Sequence, residues 1–191
     1  MSLISIRTDT YDNFRADALA RAAQNLGYDV DGYYGYQCWD LAAELWQNIG
    51  FGAGYPVTGS NHYAMECWTE SRYINQGTEF DLIYNISDLK RGDVIVLGVS
   101  AISSTGHIAF CDENYNGTSM NLLGQNQVNP NFTTGHIPTV TNIDISAFLG
   151  GFRYKTWNST PPTPPSPTNP PRSHFKWSLY ARKLNEKRSG M

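Results

Sequence analysis

The sequence is poor in cysteine. Its three cysteines are Cys38, Cys67 and Cys111, an odd number without the Cys-x-x-Cys spacing of structural zinc sites. This pattern argues against a disulfide framework and against a structural zinc site. The chain of 191 residues, 40% of them hydrophobic, is long enough for one well-buried domain with an appendage.

Long apolar runs are also missing. The segment 1–15 carries charges throughout and lacks the apolar core of a secretory signal peptide. No apolar run approaches the ~18–20 residues that cross a bilayer. We therefore expect no membrane partner, and we expect that a separate factor exports or carries the protein if it acts outside the cell that made it.

An excess of positive charge is absent from the chain as a whole. The formal net charge is −3 and the isoelectric point is about 5.7, which disfavours nucleic acid as a partner. The basic residues are concentrated at the end: segment 172–191 has six Lys or Arg and one Glu, whereas eight basic and sixteen acidic residues precede it. The two regions are therefore predicted to have different roles.

Proline divides these regions. The sequence TPPTPPSPTNPP is typical of an extended polyproline spacer without a core of its own. The predicted organisation is one main domain at 1–157, a linker at 158–171 and a short basic tail at 172–191. The tail is too short to fold independently without a metal, a disulfide or a partner.

Hydrophobic periodicity predicts helices before strands. Apolar residues recur at helical spacing in 12–26 and 38–49, and 62–72 is a further short helix candidate. Strands are predicted at 93–98, 107–112, 120–125 and 148–155. This order favours an α+β fold in which N-terminal helices pack on an antiparallel sheet.

Cys38 is the strongest candidate nucleophile. It follows a polar, glycine-rich loop and opens a predicted helix, where free N–H groups and the helix dipole stabilise a thiolate. Cys67 lies within a segment and Cys111 within a strand, so we interpret both as structural.

His107 is the candidate base, and Asn126 is the candidate that orients it. His107 follows Gly106 at the start of a strand, where it can face the helix N-terminus. Asn126 lies at the end of the next strand, so a hairpin could bring its amide beside the imidazole. Together with Cys38 these residues predict a Cys-His-Asn triad.

Four segments strengthen this prediction, because YYGYQCWDLAAELW, KRGDVIVLG, STGHIAFC and LLGQNQ occur in this order. Together they resemble the CHAP family, the cysteine, histidine-dependent amidohydrolases and peptidases. The Gln37-Cys38-x-Asp40 and Gly106-His107-Ile108-Ala109 elements carry most of the specificity. Asn126 matches the Asn of the family's Glu-x-Asn element, but Gly124 stands where the Glu is often found.

The resemblance implies a papain-like (NlpC/P60-like) fold and a peptidoglycan hydrolase of the phage lysin type. Cys38 would attack an amide bond of the bacterial cell wall, with His107 as base and Gln37 lining the oxyanion site or serving in packing. Stem-peptide or cross-bridge endopeptidase activity is favoured, and N-acetylmuramoyl-L-alanine amidase activity is the alternative. A non-catalytic adaptor that binds wall or tail protein, and a bacterial toxin or remodelling enzyme, are further alternatives.

The loop before Cys38 is a candidate calcium site. Alternating aspartates in a glycine-containing loop offer the oxygens that Ca²⁺ prefers, although the Glu that ends an EF-hand loop is missing. The resemblance implies a structural Ca²⁺ with side-chain and backbone ligands from Asp29, Asp31, Tyr33, Gly35 and Asp40.

Two routes to the cell wall follow from the resemblance. The protein would act from the phage virion tail tip, or it would be released from the host cytoplasm through a holin. The basic tail would bind acidic wall polymer or anchor the enzyme to a virion protein.

Overall fold

The computed structural model describes residues 6–74, 78–100 and 102–158, and helices come first along this part of the chain. One compact unit spans Met1–Ser159, and residues 160–191 lie outside the described residues. The predicted linker and tail therefore also lie outside them, except Asn158, which ends a helix. Within the described ranges, no helix is long and apolar enough to cross a bilayer.

The three predicted helices occur in the predicted order and are shorter than predicted: α1 is Tyr11–Ala22, α2 is Cys38–Asn48 and α3 is Glu66–Ile74. A fourth helix, α4 Lys155–Asn158, was not predicted. Helix α1 begins where the Thr10 hydroxyl accepts the Asn13 N–H at 3.1 Å. It was predicted to reach residue 26, but it ends earlier and Asn25 adopts a left-handed φ of 59°. Helix α3 begins after the predicted residue 62 because His62 is also left-handed, with φ 58°.

Six strands form one antiparallel sheet in the order β1-β6-β2-β3-β4-β5. They are β1 Phe80–Ile83, β2 Val94–Leu97, β3 His107–Cys111, β4 Ser119–Gly124, β5 Thr139–Asp144 and β6 Phe148–Tyr154. The four predicted strands are confirmed as β2, β3, β4 and β6. The two edge strands were not predicted, since β1 is short and β5 alternates only weakly.

The sheet buries both of its faces. In β2, Val94 and Val96 join the core that includes the helices, whereas Ile95 and Leu97 join a second core on the other face. This alternation follows from the two-residue period of a strand. Helix α2 packs on β3 and α3 packs on β6. The α+β prediction, with helices on an antiparallel sheet, is confirmed.

Gly150 allows α3 to lie close to the sheet. A Cβ at Gly150 in β6 would overlap the indole ring of Trp68 in α3, a side chain that is itself buried. Glycine is therefore required at position 150, because α3 and β6 approach each other closely there.

We expect Gly150→Ala to lower the free energy of unfolding by about 1–3 kcal/mol, because the added methyl overpacks the contact with Trp68. Urea denaturation followed by tryptophan fluorescence measures the loss. Gly52→Ala is the matched control, since a Cβ at Gly52 meets no atom within 4 Å. Equal stabilities of the two variants would contradict the close-packing account.

Candidate active site

Cys38 is the first residue of α2, and Gln37 precedes it in an extended conformation. The thiol therefore lies where backbone N–H groups lack an intrahelical acceptor. Burial raises the pKa of this half-buried thiol to about 11, although backbone N–H groups of Ile108, Trp39 and Cys38 itself favour the thiolate. The resting thiol is therefore protonated at neutral pH.

Cys67 and Cys111 have a different setting. Both side chains are fully buried, and burial raises the pKa of each thiol well above its usual value. Cys38 is the free cysteine that solvent reaches.

His107 opens β3, opposite Leu97 of β2. The preceding Gly106 has φ 79°, and a Cβ there would lie 2.5 Å from the Leu97 carbonyl oxygen and from Cβ of Met65. Only glycine fits this position, so the Gly-His pair of the sequence has a steric cause. His107 is 1% exposed, and burial lowers the pKa of its imidazole to about 4, while the hydrogen bond that Gln127 accepts from the ring raises it.

The fold brings Cys38 and His107 to neighbouring positions. Sγ of Cys38 lies beside the backbone N–H of Ile108, the residue directly after His107. The thiol of Cys38 and the imidazole of His107 are not joined by a hydrogen bond. Among the described residues, the hydrogen-bond partner of the imidazole is Gln127, with Nε2 of His107 3.4 Å from Oε1 of Gln127. Catalytic hydrogen bonds are often long or open without substrate and tighten in the complex.

Asn126 contacts a loop and Gln37 instead of His107. Its Nδ2 donates to Oε1 of Gln37 at 2.7 Å and to the Asn131 carbonyl at 3.0 Å, and its Oδ1 accepts the Asn131 N–H at 2.8 Å. Nδ1 of His136 lies 3.1 Å from the same Oδ1. Asn126 has a left-handed φ of 51°, which turns the chain after β4. The orienting role predicted for Asn126 does not fit these contacts.

Gln37 is committed to the same network. Its Nε2 donates to the Tyr34 carbonyl at 2.6 Å and to the Asn131 carbonyl at 3.1 Å, while its Oε1 accepts from Asn126. A carboxamide has two N–H donors. Both are engaged, so donation to an oxyanion would break one of these bonds, and the contacts favour a structural role for Gln37.

Sequence reasoning missed two buried glutamines beside Asn126. Oε1 of Gln125 accepts the Tyr28 N–H at 2.7 Å, and its Nε2 donates to the carbonyls of Tyr28 at 3.0 Å and Gln37 at 2.9 Å. Gln125 thereby ties the loop before α2 to the end of β4. Gln127 is the hydrogen-bond partner of the His107 imidazole, through its acceptor Oε1. The run of three amides at the end of a strand was the available signal.

The aspartates of the loop converge. Carboxylate oxygens of Asp29, Asp31 and Asp40 all lie within 4.8 Å of one another. Asp40 is 1% exposed, and its two oxygens accept the N–H groups of Val30 at 2.8 Å and Gln37 at 2.9 Å. Burial, with the nearby charges of Asp31 and Asp29, raises the pKa of Asp40 to about 7. Three mutually repelling carboxylates form a donor set of the kind that a hard divalent cation prefers.

The loop backbone is compatible with such a cation. The Tyr33 N–H donates to Oδ1 of Asp31 at 2.8 Å. Gly35 has φ 66°, and a Cβ there would overlap the Thr134 carbonyl. The Gly35 carbonyl accepts the Gln37 N–H at 2.9 Å, which leaves its second lone pair for another partner.

One curated protein and several solved structures are similar to the chain, and no protein-family model matches it. The chain is 29% identical over 119 residues to a D-alanyl-L-alanine endopeptidase of Streptococcus phage B30. The aligned segment covers 62% of this chain and 25% of that protein. The crystal structure of the wild-type endolysin LysIME-EF1 has a TM-score of 0.52 at 22% identity, covering 73% of this chain and 63% of that one. The crystal structure of Ly7917 has a TM-score of 0.46 at 17% identity, covering 73% and 62%.

These comparisons fix the fold. The chain spans about a quarter of the phage endopeptidase and less than two thirds of the chains of LysIME-EF1 and Ly7917. The match to LysIME-EF1 confirms the papain-like α+β fold. Membership of the CHAP family stays a prediction.

The buried imidazole of His107 gives the fold a specific acid sensitivity. Its pKa of about 4 lies below the usual value of 6.5, so the unfolded chain takes up this proton first as the pH falls. The contribution of neutral, buried His107 to the free energy of unfolding is fully present above pH 6.5. We expect it to fall by about 3 kcal/mol on the way down to pH 4.

Urea titrations of the wild type and His107→Gln across this pH window measure the contribution as a difference, since Gln cannot take up the proton. As the pH falls, the free energy of unfolding of the wild type should decrease more than that of His107→Gln. Parallel curves would contradict the buried neutral imidazole.

Proposed function

We propose that this chain is a peptidoglycan hydrolase of the phage lysin type that cuts an amide bond of the cell wall with Cys38 as nucleophile. The observation that carries the proposal is the thiol at the start of α2 beside the backbone that follows His107. The likeness to a phage D-alanyl-L-alanine endopeptidase and the fold shared with an endolysin support the substrate class.

His107 acts as general base in this proposal. The pKa values of about 11 for Cys38 and about 4 for His107 favour a neutral resting pair over a thiolate–imidazolium pair. The thiol proton therefore passes to the imidazole as Sγ attacks the carbonyl carbon. Nδ1 of His107 has no hydrogen-bond partner among the described residues, which makes it the nitrogen that receives the proton.

The remaining steps use the same two side chains. Backbone N–H groups of the first turn of α2 stabilise the oxyanion, because both donors of Gln37 are engaged elsewhere. His107 gives its proton to the leaving amine as the carbon–nitrogen bond breaks, and a thioester on Cys38 remains. Water, deprotonated by His107, then releases the acyl group and regenerates the thiol.

The name of the phage relative favours an endopeptidase that cuts between amino acids over the amidase that cuts at muramic acid. The finer assignment of the bond is part of this proposal. Release through a holin and transport on a virion tail both stay predictions. The basic segment 172–191, which was predicted to anchor the protein to the virion or the wall, lies outside the described residues.

We expect Cys38→Ala to lower the rate of wall lysis at least about a thousandfold without changing the fold, because no other group supplies the nucleophile. Turbidity loss of purified walls measures the rate, and circular dichroism checks the fold. Iodoacetamide should alkylate Cys38 and spare the buried Cys67 and Cys111, as peptide mass spectrometry reports. Lysis at the wild-type rate by Cys38→Ala would refute the mechanism, whereas a wild-type protein that binds walls without lysing them would favour the non-catalytic adaptor.

Mass spectrometry of the fragments released from the walls decides the bond. An endopeptidase leaves shortened peptides on the glycan, whereas an amidase frees whole stem peptides that begin with alanine. Release of whole stem peptides would replace the endopeptidase assignment with the amidase.

We also propose that Asp29, Asp31 and Asp40, with the carbonyls of Tyr33 and Gly35, hold a structural Ca²⁺. The convergence of the three carboxylates supports this site. Bound Ca²⁺ would neutralise their mutual repulsion. Since Asp40 accepts the Gln37 N–H, the same carboxylate links the loop to the residue before the nucleophile.

We expect Ca²⁺ to raise the melting temperature of the protein, since a ligand at a hundred times its Kd adds about 2.7 kcal/mol to stability. EDTA should lower both the melting temperature and lysis, and added Ca²⁺ should restore them. Asp31→Asn should lose the response, whereas Asp81→Asn, which changes an exposed carboxylate paired with Lys155 at 3.6 Å, should keep it. A melting temperature indifferent to Ca²⁺ and EDTA would contradict the site.

A further inference from the structure

Gln127 is held on both sides by buried groups. It is 4% exposed, and its Nε2 donates to the carbonyls of Leu122 at 2.9 Å and Thr139 at 2.8 Å, with Oγ1 of Thr139 at 3.2 Å. Its Oε1 lies 3.4 Å from Nε2 of His107. The side chain therefore spans from the β4–β5 pair to the imidazole at the start of β3.

The two carbonyls fix which way the carboxamide faces. A carbonyl oxygen only accepts hydrogen bonds, so the NH₂ group of Gln127 has to face Leu122 and Thr139. Oε1 then has to face His107. Because Oε1 only accepts, Nε2 of the imidazole has to carry the proton, and the lone pair of Nδ1 is left free.

Gly124 supplies the room for this arrangement. A Cβ at Gly124 would lie 2.6 Å from Oε1 of Gln127 and 3.2 Å from its Cδ, and 3.0 Å from Cβ of Ala109. Any side chain at this position would displace the carboxamide from His107. Asn126 cannot take over the role in this arrangement, because its amide is bonded to Gln37 and Asn131.

We propose that Gln127 is the positioning residue of His107. It holds the imidazole in the tautomer protonated on Nε2, so that Nδ1 is the base, and the absence of a side chain at Gly124 leaves room for its carboxamide. The inference rests on the proposed function of Cys38 and His107. A neutral amide suits this site, since the imidazole is buried and a carboxylate would repel the carbonyls of Leu122 and Thr139.

The tautomer is measured directly by long-range ¹H–¹⁵N NMR of the imidazole, which needs no activity. We expect Nε2–H in the wild type and a mixture of tautomers in Gln127→Met, which keeps the volume but replaces the amide oxygen with a much weaker hydrogen-bond acceptor. Gln125→Met is the matched control, because it removes another buried carboxamide that binds backbone groups and should keep the wild-type tautomer. A wild-type imidazole protonated on Nδ1, or an unchanged tautomer in Gln127→Met, would overturn the inference.

A double-mutant cycle tests the part played by Gly124. Gln127→Met and Gly124→Ala should each lower kcat for wall lysis about tenfold, the effect of one lost hydrogen bond, with KM nearly unchanged. The double variant should lose no more than the single ones, since both changes remove the same contact. Losses that multiply would show independent structural effects and would overturn the inference.

The two proposals fail in different ways. Cys38→Ala that still lyses walls overturns the proposed function, whatever the tautomer of His107. Lysis that depends on Cys38 but is unaffected in Gln127→Met overturns the positioning role alone.

Discussion

The contact of the first turn of α2 with the first residues of β3 is the constraint on which the site depends. It sets the sulfur of Cys38 beside the backbone N–H of Ile108 and thereby beside His107. Gly106, where no Cβ fits beside Leu97 and Met65, leads the chain into β3 at His107. Burial in this junction keeps both side chains neutral at rest, so that in the proposed mechanism charge would develop only when a substrate carbonyl is attacked.

Neutral amides hold much of the surroundings of this contact in place. Gln125 ties the loop before α2 to the end of β4, and Asn126 ties Gln37 to the following loop. Gln127 ties His107 to the backbone of β4 and β5. Buried charges would need paired counter-charges, whereas each carboxamide satisfies two or three backbone groups and remains uncharged. The site is positioned by this network as much as by the hydrophobic core.

Asp40 connects the candidate cation site to the nucleophile. Its carboxylate accepts the N–H groups of Val30 and Gln37, one at each end of the loop that precedes Cys38. The charges of Asp29 and Asp31 act on the same carboxylate. Neutralising this cluster would therefore stabilise the loop and, through it, the first turn of α2.

The sequence by itself determined the features that depend on neighbours in the chain. Periodicity predicted α2 and the four strands β2, β3, β4 and β6, the polar loop before Cys38 marked the thiol at the helix start, and Asp29 and Asp31 lie within one loop. Only the tertiary structure decided the partner of His107: the chain turns at Asn126, with φ 51°, and this turn sends its amide to Gln37 while Gln127 reaches the imidazole. The direction of a side chain after such a turn depends on packing between distant segments, here on the space left by Gly124, and spacing along the chain does not encode it.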